Sequence, residues 1–192
     1  MRIIKNVLAI IGLVALIGAG FGYMRLGSLF DGFDPKAREV YMGMFNRLME
    51  TGNPAEATVW KAKVKDGLTF EDVDTAIQSA ATELNIKDVG ALPLGDQVEA
   101  MQGKKWRKLK IYLYCNPLTA AKMIDYSDAF SAYLPCRVSL LEDKTGKLWI
   151  YSLDMDMMIH GGKPLPEDLK AEAVKVKEII QAVLDRGSKG DF

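Results

Sequence analysis

The chain has 192 residues, of which 49% are hydrophobic and 26% are charged. This length and composition suit one globular domain with an appendage and exclude a globally disordered protein. The formal net charge is zero, but the first 25 residues hold Arg2, Lys5 and Arg25 and no acid, which leaves 22 basic and 25 acidic residues in the remainder. A slightly acidic body excludes nucleic acid as a partner, because such binders need excess basic side chains against the phosphates.

An apolar run from Val7 to Met24 is the first predicted element. Its 18 uncharged residues are about enough to cross a bilayer as a helix, so residues 1–25 are expected to form a signal anchor, with residues 7–24 in the inner membrane. The basic residues ahead of the run predict a cytoplasmic start and a body in the periplasm. The alternative is cleavage near Gly18-Ala19-Gly20, which would release a soluble periplasmic protein. The spacing Gly18-x-x-x-Gly22 would also let two anchors pack together.

Residues 26–56 are predicted to be a linker followed by an amphipathic helix. Asp34-Pro35 is typical of an N-cap with proline at the first helical position, and Gly52 suits the helix end. The apolar positions recur at helical spacing: Val40, Tyr41, Met44, Phe45, Leu48 and Met49. Such a stripe must pack on the domain, on a second copy or on the membrane surface.

Residues 57–192 are predicted to be one α+β domain. Strands are expected over 59–64, 86–93, 109–115, 136–141 and 148–153, the last two joined by a hairpin around Gly146. Helices are expected over 70–84, 95–102, 117–124 and from Pro166 to Arg186, the last closed by Gly187. Hairpins without strict strand–helix–strand repetition predict a two-layer sandwich: a mostly antiparallel sheet with helices packed on it, preceded by one transmembrane helix.

Two short segments carry a resemblance to a known family. They are "YCNP" (114–117) and "YLPCRVSLLEDKTGKLWIYS" (133–152), within a stretch from about Lys61 to Arg186 that resembles the DUF302 family, whose small α+β fold is named after a Thermus protein. The matching positions are Asn116, Pro117, Leu134, Pro135, Arg137, Val138, Gly146 and Lys147. The resemblance implies a homodimer and says little about activity, since the family is largely uncharacterised.

The sequence departs from the family pattern at its only two cysteines. Cys115 stands where the family tends to have glycine, and Cys136 where it tends to have leucine. In an alternating strand, Cys115 shares a face with Leu109, Ile111 and Leu113, so both cysteines are expected on the core-directed face, with their sulfurs able to meet. Three interpretations stay open: a structural disulfide, two buried free thiols, or a thiol-redox or soft-metal site.

The only histidine lies in "DMDMMIHGG" (154–162). Met157 and His160 are three residues apart, so one helical turn would place them on the same side. With the cysteines they form a donor set that suits copper(I), and a Met–His pair can also ligate a b-type haem. The alternative is that the methionines fill the core and His160 has a structural hydrogen bond. The candidate ligand pocket comprises Asn116, Arg137, Met157 and His160.

No catalytic constellation is visible in the sequence. One histidine without a nucleophile motif gives no triad, and there is no glycine-rich phosphate loop. The favoured hypothesis is therefore a non-enzymatic, membrane-tethered periplasmic module that binds or senses a small ligand. Two alternatives remain: a thiol-redox or soft-metal or haem protein that uses Cys115, Cys136 and His160, with a place in sulfur-compound metabolism, and a structural scaffold of a membrane complex.

Overall fold

The computed structural model describes residues 2–28 and 30–191. Before the sheet begins there are three helices: α1 (Arg2–Ser28), α2 (Ala37–Thr51) and α3 (Pro54–Ala57). The body then alternates as β1 (Val59–Lys63), α4 (Phe70–Glu83), β2 (Lys87–Leu92), α5 (Leu94–Gln102), β3 (Leu109–Cys115) and α6 (Pro117–Tyr126). A short 3-10 helix (Asp128–Ala132) precedes β4 (Cys136–Glu142), β5 (Leu148–Leu153), α7 (Asp156–His160) and α8 (Glu167–Lys189).

The five strands form one sheet in the order β1-β5-β4-β3-β2, and every neighbouring pair is antiparallel. Helices α4 and α8 pack against each other and cover one face of this sheet. The core between the two layers is built from fully buried side chains, among them Ile77 of α4, Leu140 of β4, Ile150 of β5 and Ile180 of α8. The predicted α+β sandwich with an antiparallel sheet is confirmed.

Local sequence signals explain several element boundaries. Thr69 and Asp72 form a reciprocal capping box at the start of α4, with Thr69 Oγ1 accepting from the Asp72 amide at 3.1 Å. Asn116 caps α6, and its Oδ1 accepts from the Thr119 amide at 3.3 Å. Side-chain oxygens at these positions satisfy amides that have no partner within the first helical turn.

The predicted orientation of β3 is wrong. Its helix-covered side chains are Tyr112 and Tyr114, which are fully buried, while Ile111 and Leu113 are half-buried on the other face. Tyr112 can occupy the interior because α4 supplies a partner: its hydroxyl donates to Asp74 Oδ1 at 2.7 Å, whereas the buried Tyr114 hydroxyl has no hydrogen-bond partner among the described residues. Since Tyr114 is directly opposite Cys136 in the register, Cys136 faces the helices, and Cys115, the last residue of β3, lines a cavity together with Cys136.

Helix α8 continues past the position that the sequence indicates for its end. Gly187 lies inside the helix, and the left-handed residue that terminates it is Gly190, with φ of 73°. Gly187 is required for packing, because an added Cβ would lie 2.7 Å from Cγ1 of Ile77 and 3.0 Å from Cδ1 of Ile150. Glycine therefore lets α8 approach α4 and the sheet closely.

The start of α2 also differs from the prediction. Lys36 occupies the N-cap position without a side-chain cap, and Asp34 is buried beneath the following helix start with 2% of its surface exposed. The Asp34 amide donates to the Gly162 carbonyl at 2.8 Å, which ties the segment before α2 to the loop after α7. Asp34 is thus part of the core rather than of a linker.

Helix α1 is the one helix among the described residues that is long and apolar enough to cross a membrane. Its most apolar window, Lys5–Gly22, has a mean hydropathy of 1.8, and none of it is buried against the rest of the chain. Length and composition alone support this assignment.

Candidate functional site

Both cysteines lie where β3 ends and β4 begins. They line one small apolar cavity of about 30 Å³, together with three methionines: Met123 of α6, Met155 before α7 and Met158 of α7. We call this space the sulfur cavity. Met123, Met155 and Cys136 are each less than one tenth exposed, so five sulfur atoms belong to side chains that border a space of about the size of one water molecule.

The two thiols are free, and neither is activated. Burial raises the pKa of Cys136 to about 11, and the nearby charge of Cys115 raises it further. Burial also raises the pKa of Cys115, while the Lys87 ammonium acts in the opposite direction. A reactive redox thiol requires a lowered pKa, so the environment of these cysteines does not favour the thiol-redox interpretation.

His160 does not join the cysteines. Its ring is buried, and its Nδ1 lies 3.3 Å from Oδ1 of Asp34, whose side chain is completely covered. Lys170 donates to the other Asp34 oxygen, and the Lys36 amide donates to Oδ1 at 2.9 Å. Burial raises the pKa of Asp34, but the bonds from Lys170, the Lys36 amide and His160 outweigh it, and the pKa lies below its ordinary value.

A polar cavity of about 310 Å³ borders the other side of His160. Its lining holds three basic and three acidic side chains, and four of them form two ion pairs: Arg47 binds Asp154 at 2.9 Å, and Lys177 binds Asp156. Within residues 2–28 and 30–191, no three side chains of the His, Cys, Asp or Glu type are arranged to hold a metal. The polar cavity is therefore a neutralised ion-pair region that fastens α2 to the body.

A larger space, which we call the apolar groove, lies between α2 and the segment from α6 to Tyr133. Its volume is about 550 Å³. Tyr41 and Met44 line it from α2, Phe130 and Tyr133 from the opposite side, and Met157 from α7. Met157 is thus 44% exposed in this groove, whereas His160 borders the polar cavity, so the two do not form a haem- or copper-ligating pair in this structure.

The remaining predicted pocket residues are separated. Asn116 lines the sulfur cavity and also an open cleft of about 620 Å³ between α4, β2 and the start of α6. Cys115 lines both spaces as well. Arg137 is exposed on the outer face of the sheet, opposite Leu113, and it borders none of the cavities described above.

Sequence reasoning missed the residues that complete these sites. Asp34 has the signature of a helix cap, and nothing in the local sequence indicates a partner 126 positions away. Met123 was outside the motif segments, and Met155 and Met158 fitted a core-filling role. The one available signal was the concentration of methionine near the cysteines.

The comparisons with known proteins identify the body of the chain. The family model of a domain of unknown function, DUF302, matches residues 60–187. Among solved structures, the crystal structure of an uncharacterized conserved DUF302 protein from Bacillus stearothermophilus matches with a TM-score of 0.53 and 16% sequence identity, over 67% of this chain and 97% of that chain. Identity at this level shows a shared fold only, and among curated proteins none matches. Because the family model covers about two thirds of the sequence, the chain belongs to the DUF302 family.

Proposed function

We propose that this protein is a membrane-tethered binding module whose ligand is an amphiphile with one apolar chain and an anionic head. The observation that carries the proposal is the apolar groove. Its volume of about 550 Å³ falls within the range of about 300–1,000 Å³ that small-molecule sites occupy. Seven of its nineteen lining residues are aromatic or methionine, side chains that suit an apolar ligand.

The charged residues that line the apolar groove support a ligand with an anionic head group. The charged residues that line it are Arg47, Asp154 and Lys163. Arg47 and Asp154 neutralise each other at 2.9 Å, whereas Lys163 is exposed and has no acidic partner among the described residues. An ammonium group at the rim of an apolar groove attracts a carboxylate or phosphate while the chain of the ligand lies inside.

The position of the groove relative to α1 supports a ligand that comes from a lipid phase. Helix α2, which forms one wall, starts at Ala37, nine residues after α1 ends at Ser28. Nine residues extend over about 30 Å at most. If α1 is retained in the inner membrane, the groove lies close to the bilayer on the periplasmic side, where single-chain amphiphiles are concentrated.

Fatty-acid binding to the full chain in lipid nanodiscs tests this function. Displacement of a dansyl-labelled fatty acid by oleate reports affinity, with oleyl alcohol as the uncharged analogue. We expect Lys163→Glu to weaken oleate binding about tenfold, as expected for the loss of one charge-assisted contact, with little effect on the alcohol. Ala129→Trp, which places a bulky ring at the groove wall, should weaken both ligands.

Lys144→Glu is the matched control. Lys144 is an exposed lysine of the β4–β5 hairpin with no acidic partner among the described residues, so its reversal changes net charge equally at a distance from the groove. Equal oleate affinity in the wild type and in Lys163→Glu, together with full binding by Ala129→Trp, would contradict a ligand in this groove.

Mass spectrometry of the amino terminus tests the membrane tether. A mature start between residues 19 and 27 would rule out a retained anchor.

A further inference from the structure

The sulfur cavity is lined by sulfur-containing side chains that the proposed ligand of the apolar groove does not require. Its potential metal donors are two thiols and three thioethers, supplied by β3, β4, α6 and the α7 region. The two oxygen-bearing side chains on its lining are already engaged: Asn116 accepts from the Thr119 amide, and the Thr119 hydroxyl donates to Glu172 at 3.1 Å. The rest of the lining is apolar.

This donor set discriminates between metals. Calcium and magnesium require oxygen ligands, and structural zinc sites use thiolate, imidazole or carboxylate. Thiolate with thioether is the combination that selects copper(I). The volume of about 30 Å³ holds one ion without a hydration shell. We propose that the sulfur cavity binds one copper(I) ion through Cys115 and Cys136, with thioether ligands from Met155 and Met158.

The charge balance is compatible with the apolar surroundings. Binding replaces the two thiol protons, which leave to solvent, and copper stays in the +1 state, so no electron is transferred. Two thiolates and Cu⁺ leave one negative charge. Lys87 is directly opposite Cys115 in the β2–β3 register, so its ammonium is placed to offset part of this negative charge.

An access route is present on two sides of the cavity. Cys115 and Asn116 line both the sulfur cavity and the open cleft, so a metal delivered to the cleft meets the Cys115 thiol first. On the other side, Phe130 and Met158 line both the sulfur cavity and the apolar groove. The proposal does not depend on the groove ligand, and either one can fail without the other.

The test is copper(I) titration of the full chain in detergent, without oxygen and with ascorbate, in competition with bicinchoninate. We expect one Cu(I) per chain and at least a hundredfold weaker binding in Cys115→Ser and in Cys136→Ser. Met155→Leu and Met158→Leu, which keep the volume of the side chain, should weaken binding about tenfold. The matched control is Met157→Leu, because Met157 is adjacent in sequence but lines only the groove.

X-ray absorption at the copper edge supplies a second readout that a packing defect would not mimic. A shell of sulfur ligands without nitrogen supports the proposal, and a nitrogen shell would contradict it. Binding by the Cys115→Ser/Cys136→Ser double variant equal to that of the wild type would also overturn it. So would the absence of free thiols in protein isolated without reductant from its own host, since a disulfide removes both thiolate ligands.

Discussion

At the residue scale, the Asp34 carboxylate ties the segment before α2 to the body. It receives hydrogen bonds from Lys170 and the Lys36 amide, and it lies 3.3 Å from His160 Nδ1. We expect Asp34→Asn to lower the free energy of unfolding by about 1.5–3 kcal/mol, the range for hydrogen bonds to a charged group, because Lys170 loses its ionic partner. Denaturant unfolding measures the change. Asp31→Asn, at an exposed position three residues earlier, should alter it by less than about 0.5 kcal/mol.

The same carboxylate should make stability depend on pH in the acid range. Despite burial, its hydrogen bonds hold the pKa of Asp34 below the ordinary value. A lowered folded-state pKa stabilises the protein above the unfolded value of about 3.9, and this contribution is lost as the pH falls through the folded value. The difference between wild type and Asp34→Asn should thus be complete at neutral pH and shrink below about pH 4. A difference that stays constant into strong acid would contradict this role.

Single residues were the scale at which the sequence was least informative. The alternation of residue types in β3 correctly predicts a strand with two different faces. It does not predict which face the helices cover, because the tyrosines Tyr112 and Tyr114 suit a solvated surface as well as a core. The burial of the Tyr112 hydroxyl depends on Asp74 of α4, which accepts its hydrogen bond. Asp34 and His160 are likewise far apart in the sequence. The residues that flank either position give no information about a partner at that distance.

At the element scale, two helical glycines should respond in opposite directions to the same change. Gly187→Ala in α8 places a Cβ 2.7 Å from Ile77 Cγ1, and such overpacking costs about 1–3 kcal/mol. In Gly43→Ala of α2, the new Cβ meets only the Arg47 side chain at 3.8 Å, so the helix gains about 0.5–1 kcal/mol from reduced backbone entropy. Thermal unfolding of both variants checks the pair. Stabilisation by Gly187→Ala would mean that Ile77 and Ile150 shift easily.

The elements themselves were largely predictable. Capping residues and apolar periodicity located the four larger helices of the body and all five strands, because the signals for these are local. The predicted end of α8 is wrong because a glycine near a helix end can have either of two roles, and the sequence does not show which. Gly190 ends the helix with a left-handed φ of 73°, whereas Gly187 allows close packing inside the helix. Only the neighbouring α4 distinguishes them.

At the scale of the whole molecule, the uncovered face of the sheet is more apolar than a solvated surface requires. Antiparallel sheets with one wet face usually carry polar residues on it. Here six of the side chains that point away from α4 and α8 are half exposed and large, apolar or aromatic: Leu109, Ile111, Leu113, Leu141, Trp149 and Tyr151. The charged side chains on this face include Arg137 and, on the edge strand β1, Lys61 and Lys63. Such a surface is typical of an interface.

We propose that a second copy of the chain covers this face, so that two sheets pack as an isologous pair. Five strands of about six residues present a surface of roughly 25 × 20 Å, and two copies together bury on the order of 1,000 Å², near the lower limit for a specific interface.

Ile111 lies on β3, beside the central strand β4. Ile111→Lys should therefore convert the dimer to a monomer in light scattering of the full chain in detergent, because each copy would bury an unpaired ammonium. Leu118→Lys, at a position 78% exposed on α6, should leave the dimer intact. A dimer that survives Ile111→Lys would instead be held elsewhere, for example by Gly18 and Gly22 of α1, and the sheet interface would be wrong.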